Sequence, residues 1–134
     1  MSDKRVTVRQ KTAVAKQAKY CCEYCKSQAR FALQSFSIEH IIAKSQVGTT
    51  TLNNLAFACQ GCNNHKYNKS EAQDPIGGEA IPLYHPRKQQ WSTHFAWNDD
   101  FTLMIGLTPT GRATIEALQL NRPGIVNLDR KSVV

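Results

Sequence analysis

The sequence predicts an α+β fold in one domain spanning residues 1–134. Three observations predict it: a helix-forming composition near the start, a stretch of alternating apolar residues after it, and two Cys-x-x-Cys pairs that bracket this stretch. A chain of 134 residues has the usual size of one domain. Neither half holds many large apolar residues, so we expect an extension at about residues 71–134 to pack on a core at about residues 18–70.

The core is predicted to contain an N-terminal helix and a hairpin. Residues 7–18 have a composition that favours a helix, with a thin apolar stripe. Residues 30–42 alternate in two registers with a break near Ser35, which indicates half-buried strand. Residues 55–58 form a short apolar run after a polar stretch with a glycine. This run is expected to be the returning strand.

The extension is predicted to be mixed helix and strand. The core before it should close with a short helix that follows Cys62 and ends before Asp74-Pro75. Within the extension, a last helix is expected at about residues 110–120, where apolar residues share one face. The aromatic residues Trp91, Phe95 and Trp97 are expected mainly to pack in the core, since aromatic side chains supply much of a small domain's buried area.

Four cysteines predict a structural zinc site. Each of the two Cys-x-x-Cys pairs has the spacing by which a tight knuckle directs two sulfurs at one tetrahedral cation; they are Cys22, Cys25, Cys59 and Cys62. Four thiolates leave no open position for water, so this zinc should hold the fold and not catalyse. The adjacent Cys21 could replace Cys22, and we favour Cys22 as the ligand.

The charge of the chain favours an anionic partner. Lys and Arg outnumber Asp and Glu by 17 to 10, which gives a formal net charge of +7. Nucleic acid is the first such partner to consider. Within the sequence we see no apolar run that would suit a signal peptide or a membrane span, so we expect a cytoplasmic protein.

A set of polar residues lies between the two cysteine pairs and directly after the second pair. Glu39-His40-Ile41-Ile42 is followed by Asn54-Leu55, and Asn63 comes directly after the last cysteine. His40 and Asn54 are 14 positions apart (54 minus 40), and Asn54 and Asn63 are 9 apart (63 minus 54). With these motifs the sequence resembles the HNH, or ββα-metal, nuclease family. It departs from the common pattern in having Glu39 where Asp is commoner and Ala43 where many members have Pro.

The resemblance implies a ββα-metal core and a divalent-metal-dependent endonuclease acting on DNA, which we expect to be double-stranded. In such an enzyme the residues at Glu39 and Asn63 hold one catalytic cation, while His40 activates water as the general base. The resemblance also implies that Asn54 bonds to the backbone around His40 and so orients the imidazole, although Asn53 is a neighbouring alternative. Carboxylate and amide oxygens suit Mg²⁺ or Mn²⁺. An unperturbed histidine, with a pKa of about 6.5, is largely neutral at cytosolic pH and can accept a proton.

Further basic residues are weaker candidates. His65, Lys66 and Lys69 lie just after Asn63 and could contact DNA phosphates, with a solvated charged face as the alternative for the two lysines. His85 and His94 have no paired metal-ligand spacing. Arg112 and Arg122 flank the last helix, where they could contact phosphate. The main alternative function is a noncatalytic, zinc-stabilised module that binds nucleic acid, and a zinc-stapled protein-interaction domain is a third.

Overall fold

The structure is a computed structural model that describes residues 5–123. In that part of the chain there are four α-helices and three antiparallel sheets of two strands each. The helices are α1 (Val8–Gln17), α2 (Gln60–Lys66), α3 (Trp91–His94) and α4 (Pro109–Leu118), and the strands are β1 (Ser37–His40), β2 (Leu55–Ala58), β3 (Glu71–Gln73), β4 (Ala80–Pro82), β5 (Phe95–Trp97) and β6 (Met104–Gly106). None of the described helices has the length and apolar character to cross a membrane. This mixture confirms the α+β prediction.

Helix α1 begins where the sequence predicts. Thr7 forms a capping box with Gln10: the Thr7 hydroxyl accepts from the Gln10 amide at 3.0 Å, and the Gln10 side chain accepts from the Thr7 amide at 2.9 Å. The thin apolar stripe is enough to anchor the helix, because Val14 is fully buried against Leu55 and Phe57 of β2. The predicted helix is therefore confirmed.

The hairpin β1–β2 is shorter than predicted. Strand β2 has the predicted bounds, and its four residues pair with the four of β1, with Glu39 opposite Ala56 and His40 opposite Leu55. The part of the predicted strand before residue 37 is wrong. There the chain makes a 3-10 turn at Ala29–Phe31, and Phe31 and Leu33 are exposed. A strand needs a partner, and β2 offers only four residues to pair with.

Helix α2 also differs from the prediction. It starts before the last cysteine, with Cys59 as its N-cap, and it ends at Lys66 because Tyr67 adopts a φ of 50° and a ψ of −117°. The residues that were expected to continue the helix instead enter β3, which pairs with β4. The predicted helix beyond Lys66 is therefore wrong, whereas α4 lies within one or two residues of its predicted bounds.

The extension packs on the core, as the sequence predicts. Arg87 pairs with the buried carboxylate of Glu23, and its Nε donates to the Leu55 carbonyl at 3.0 Å. The rings of Trp91 and Phe95 stack with their centroids 5.4 Å apart, and Trp97 lies beside Trp91. Phe95 is buried, and both tryptophans pack against the main hydrophobic cluster. The aromatic residues are thus core residues.

Candidate active site and metal centre

Four cysteines form a buried cluster that is positioned to hold a metal ion. The sulfurs of Cys22, Cys25, Cys59 and Cys62 all lie within 4.8 Å of one another, and this is the one such group of His, Cys, Asp or Glu ligands found within residues 5–123. Cys21 is outside the cluster, and its sulfur contacts the Lys19 carbonyl at 3.6 Å. The preference for Cys22 over its neighbour is confirmed.

Two short backbone turns direct the sulfurs inward. In the first, the Cys25 amide donates to the Cys22 sulfur at 3.5 Å, and Lys26 adopts a φ of 69°. In the second, the Cys62 amide donates to the Cys59 sulfur at 3.4 Å. Burial raises the pKa of the Cys22 thiol, while hydrogen bonding with Cys22 holds the pKa of Cys59 well below its ordinary value. The four thiols therefore do not ionise alike, and a metal ion bound here would displace the protons that remain.

Glu39 faces the interior of the protein. Its side chain is 4% exposed and forms an ion pair with Lys66, with Nζ 3.1 Å from Oε1, while the Tyr24 hydroxyl donates a hydrogen bond to Oε2. Burial raises the pKa of Glu39, and the charge of Lys66 opposes this effect. Tyr24 is itself 1% exposed. The carboxylate is thus held between a residue of the first cysteine turn and a residue of α2.

His40 lies on the other side of β1. Successive side chains of a strand point to opposite faces, and His40 is only half-buried where Glu39 is buried. Its Nε2 is 2.9 Å from the Thr50 hydroxyl. The imidazole therefore has access to solvent and a polar contact in the loop that joins the two strands.

Asn54 ties the chain after His40 to that same loop. Its Oδ1 accepts from the Ile42 amide at 2.8 Å, and its Nδ2 donates to the carbonyls of Ile42 at 3.0 Å and Thr49 at 2.8 Å. The Ile41 amide also donates to the Asn54 carbonyl at 2.8 Å. Asn54 is 6% exposed. The expected hydrogen bonds between Asn54 and the backbone near His40 are present, and it is Asn54, not the exposed Asn53, that makes them.

Helix α2 brings Asn63 and Lys66 to the side of the hairpin. They are three positions apart on the helix and so share a face. Asn63 is half-buried, and Lys66 is 1% exposed and donates to the carbonyls of His40 at 3.3 Å and Ile41 at 2.8 Å. The predicted contact of Lys66 with a DNA backbone is therefore wrong, because its ammonium is buried. His65 and Lys69 are exposed, and Lys69 donates to the His65 carbonyl.

The remaining basic candidates of the extension have structural contacts. His85 accepts from the Arg87 amide at 3.3 Å, and His94 Nδ1 lies 2.6 Å from the Thr108 hydroxyl that caps α4. Arg112 donates twice to Asp74, at 2.9 and 2.8 Å, and this pairing holds the pKa of Asp74 well below its ordinary value. These contacts fasten the extension and bring none of the three residues to the cysteine cluster.

Arg122 makes a contact that its position in the sequence does not predict. Its Nη2 lies 3.5 Å from the Cys59 sulfur and 3.6 Å from the Cys62 sulfur. Cys62 and Arg122 are 60 positions apart along the chain, so no local spacing predicts this contact. The only available signal was the position of Arg122 just past the last predicted helix.

Comparison with known proteins agrees with this geometry. Residues 22–69 match the family model described as HNH endonuclease, a span that runs from the first metal-site cysteine to the end of the α2 region. A search of curated proteins finds no match. Residues 22–69 are therefore similar to HNH endonucleases, and they hold the four-cysteine cluster that is positioned to bind a metal ion.

Proposed function

We propose that this chain is a divalent-metal-dependent endonuclease that hydrolyses DNA phosphodiester bonds. The premise is the match of residues 22–69 to the HNH endonuclease model. The observation that carries the proposal is the hydrogen bonding of Asn54 to the backbone of Ile42 and Thr49. These bonds fix the segment that follows His40 while leaving the imidazole half-exposed. A reactive side chain held by buried bonds and open to solvent is what attack on a large external substrate requires.

The cysteine cluster fits zinc as the structural metal. With a zinc–sulfur bond of about 2.3 Å, the edge of a tetrahedral site is about 3.8 Å long. The sulfurs of Cys25 and Cys59 are 3.7 Å apart. Two of the ligands belong to the segment before the hairpin and two to the start of α2, so a cation here would join the elements on either side of His40.

Glu39 and Asn63 are our candidates to hold the catalytic cation. The donors are a carboxylate on β1 and an amide on the adjacent α2, and such oxygens suit Mg²⁺ or Mn²⁺. The carboxylate already accepts from Tyr24 and pairs with Lys66, but each carboxylate oxygen has a second lone pair. The cation would thus share Glu39 with an ammonium group. When bound, it would supply positive charge to the phosphorane and to the leaving oxygen.

His40 is the proposed general base. Its Nε2 contacts the Thr50 hydroxyl, so the tautomer of the ring depends on which group donates in that contact. A neutral imidazole can take the proton of a water that attacks the phosphorus. Lys66 takes no part in this proton transfer, since its buried ammonium donates to the carbonyls of His40 and Ile41.

DNA is the proposed substrate. The formal net charge of +7 favours a polyanion, and the exposed side chains of His65 and Lys69 lie on or just after α2, beside Asn63. Contacts of this kind position a phosphate backbone without selecting a sequence. The proposal therefore does not require a base-reading element.

A noncatalytic nucleic-acid-binding module is the second candidate function. The observation that favours it is the burial of Glu39, whose two oxygens are engaged by Tyr24 and Lys66. If that arrangement persists when divalent cations are present, Glu39 is a structural residue and the metal-dependent step is lost. Such a protein would bind DNA with a steep salt dependence and leave it intact.

Cleavage of supercoiled plasmid separates the two functions. The wild-type chain should nick or linearise the plasmid with Mg²⁺ or Mn²⁺ and stop when EDTA is added. His40→Ala should lose about 10²- to 10⁴-fold in kcat, which is the usual contribution of a general base. Its thermal unfolding and DNA affinity should stay close to those of the wild type, because His40 is half-buried and pairs with a loop hydroxyl.

His65→Ala is the matched comparison for this assay, since His65 is an exposed histidine of the adjacent helix. A contact with phosphate predicts a change in KM with kcat retained. Equal cleavage by His40→Ala and the wild type would refute the base assignment, and intact plasmid bound by the wild type would favour the noncatalytic module.

A further inference from the structure

Arg122 of the extension makes direct contact with the metal-site sulfurs. One nitrogen, Nη2, lies 3.5 Å from the Cys59 sulfur and 3.6 Å from the Cys62 sulfur. The other, Nη1, donates to the carbonyls of Leu118 and Gln119, each at 3.0 Å. The guanidinium thus joins the C-terminal end of α4 to the N-terminal end of α2.

The backbone of α2 leaves room for this contact. A Cβ built on Gly61 would lie 2.4 Å from Nη2 of Arg122, closer than two such atoms can approach. Gly61 stands between the two cysteines of the second turn. The absence of a side chain at this position is what allows the guanidinium to reach the sulfurs on either side of it.

The negative charge of the cysteine cluster determines what the contact with Arg122 does. Four thiolates around one Zn²⁺ carry more negative charge than the cation neutralises, and the cluster is buried. Charge-assisted hydrogen bonds to ionised acceptors are about twice as strong as neutral ones. A fixed guanidinium beside two of the sulfurs therefore favours the ionised, metal-binding form of the cluster.

We propose that Arg122 is an outer partner of the zinc-thiolate site that raises the zinc affinity of the core and couples it to docking of the extension. The inference rests on the zinc assignment and is independent of whether the protein cleaves DNA. Groups that hydrogen-bond to metal ligands commonly change metal affinity by about 10- to 100-fold. We therefore expect a loss of that size when the guanidinium is removed.

Zinc release to a chromogenic chelator tests the proposal. Arg122→Met should bind zinc about 10-fold or more weakly in competition with the chelator and release it correspondingly faster. The zinc affinity of Arg122→Lys should lie between those of the wild type and Arg122→Met. An ammonium keeps the charge but cannot reach two sulfurs and two carbonyls with the geometry of the guanidinium. Zinc content measured by native mass spectrometry gives the stoichiometry of each variant before release begins.

Gly61→Ala is the second variant, because it leaves Arg122 in the sequence. Alanine favours a helix over glycine, so the helix itself should not be weakened. The new methyl group should displace the guanidinium, and zinc release should quicken. If Arg122→Met does not fold, Gly61→Ala decides the question.

Asp74→Asn is the matched control. It breaks the ion pair with Arg112, which lies within the extension, and leaves the contact of Arg122 with the sulfurs in place. Zinc release equal to the wild type in Asp74→Asn, with faster release in the other variants, supports the proposal. Unchanged release in both Arg122→Met and Gly61→Ala, or equally fast release in Asp74→Asn, would overturn it. A wild-type chain that binds no zinc would overturn the zinc assignment as well.

Discussion

The ammonium of Lys66 lies 3.1 Å from Oε1 of Glu39, and both side chains are almost completely buried. The same ammonium donates to the carbonyls of the two residues that follow Glu39. One side chain of α2 therefore fixes both a carboxylate and the backbone at the end of β1. Burying a charge without a partner is costly, so each of these two side chains requires the other.

The first prediction concerns this pair. Lys66→Met should lower the free energy of unfolding by about 3–5 kcal/mol, because it leaves the Glu39 carboxylate buried and unpaired. The double variant Glu39→Gln with Lys66→Met should recover much of that loss, since both charges of the pair are then removed. Urea denaturation of the zinc-loaded proteins measures both. A double variant no more stable than Lys66→Met would contradict the assignment of the loss to the unpaired charge.

The second prediction concerns Asn54. Asn54→Ala should lower kcat for plasmid cleavage by about 10- to 100-fold, the usual range for a residue that orients a reactive group. It should also cost about 1–3 kcal/mol of stability, because buried backbone groups of Ile42 and Thr49 lose their partners.

Asn53→Ala is the control for that variant, since the neighbouring asparagine is exposed. Asn54→Asp separates the accepted hydrogen bond from the two donated ones, because it keeps an acceptor for the Ile42 amide but cannot donate to the two carbonyls. Its activity should lie below that of the wild type. Equal losses in Asn53→Ala and Asn54→Ala would refute the specific role of Asn54.

The third prediction compares two adjacent cysteines. Cys22→Ser should lose most of the bound zinc and much of the folded structure, because a structural site with three thiolates is incomplete. Cys21→Ser should keep zinc in a ratio near one per chain, since its sulfur contacts a carbonyl outside the cluster. Metal analysis and circular dichroism read out both effects. Zinc loss from Cys21→Ser, with zinc retained by Cys22→Ser, would show that Cys21 and not Cys22 is the ligand.

The fourth prediction concerns alkaline pH. Burial raises the pKa of Tyr84 to about 12, from an ordinary value near 10. A group with a raised folded pKa contributes stability that is fully present below its unfolded pKa and is lost as the pH rises through the folded pKa. The wild type should therefore lose stability between about pH 10 and pH 12 more steeply than Tyr84→Phe.

Absorbance at 295 nm checks the assignment, because it follows ionisation of tyrosine directly. Tyr84→Phe should lack a component that titrates near pH 12 in the folded wild type. If the titration curves of the wild type and of the variant superimpose near pH 12, Tyr84 does not ionise there and its pKa is not raised.

The parts of the fold that local chemistry determines could be predicted from sequence. The cysteine spacing identified the four cluster residues, and the apolar run at residues 55–58 located β2. Helix α1 has a capping box at Thr7, and α4 has Thr108 as its N-cap and Pro109 as its first residue. In each case a signal within a few residues is sufficient.

The parts that depend on distant contacts were missed. The apolar alternation before residue 37 has no partner strand within residues 5–123, and Leu33 is exposed to solvent. Lys66 appeared to be a surface cation because its sequence neighbours are polar, and its buried partner is 27 positions earlier in the chain. The contact between Arg122 and the cysteine sulfurs is likewise set by how α4 packs on α2. Neither pairing follows from local spacing.

The order of these contacts along the chain has a consequence for synthesis of the protein. Ribosomes add about 5–20 residues per second, so Arg122 is made about 3–12 seconds after Cys62, the last ligand of the cluster. During that interval the thiol cluster can be complete while its guanidinium partner does not yet exist. Nascent chains should therefore be more sensitive to thiol oxidants and to zinc depletion than finished ones.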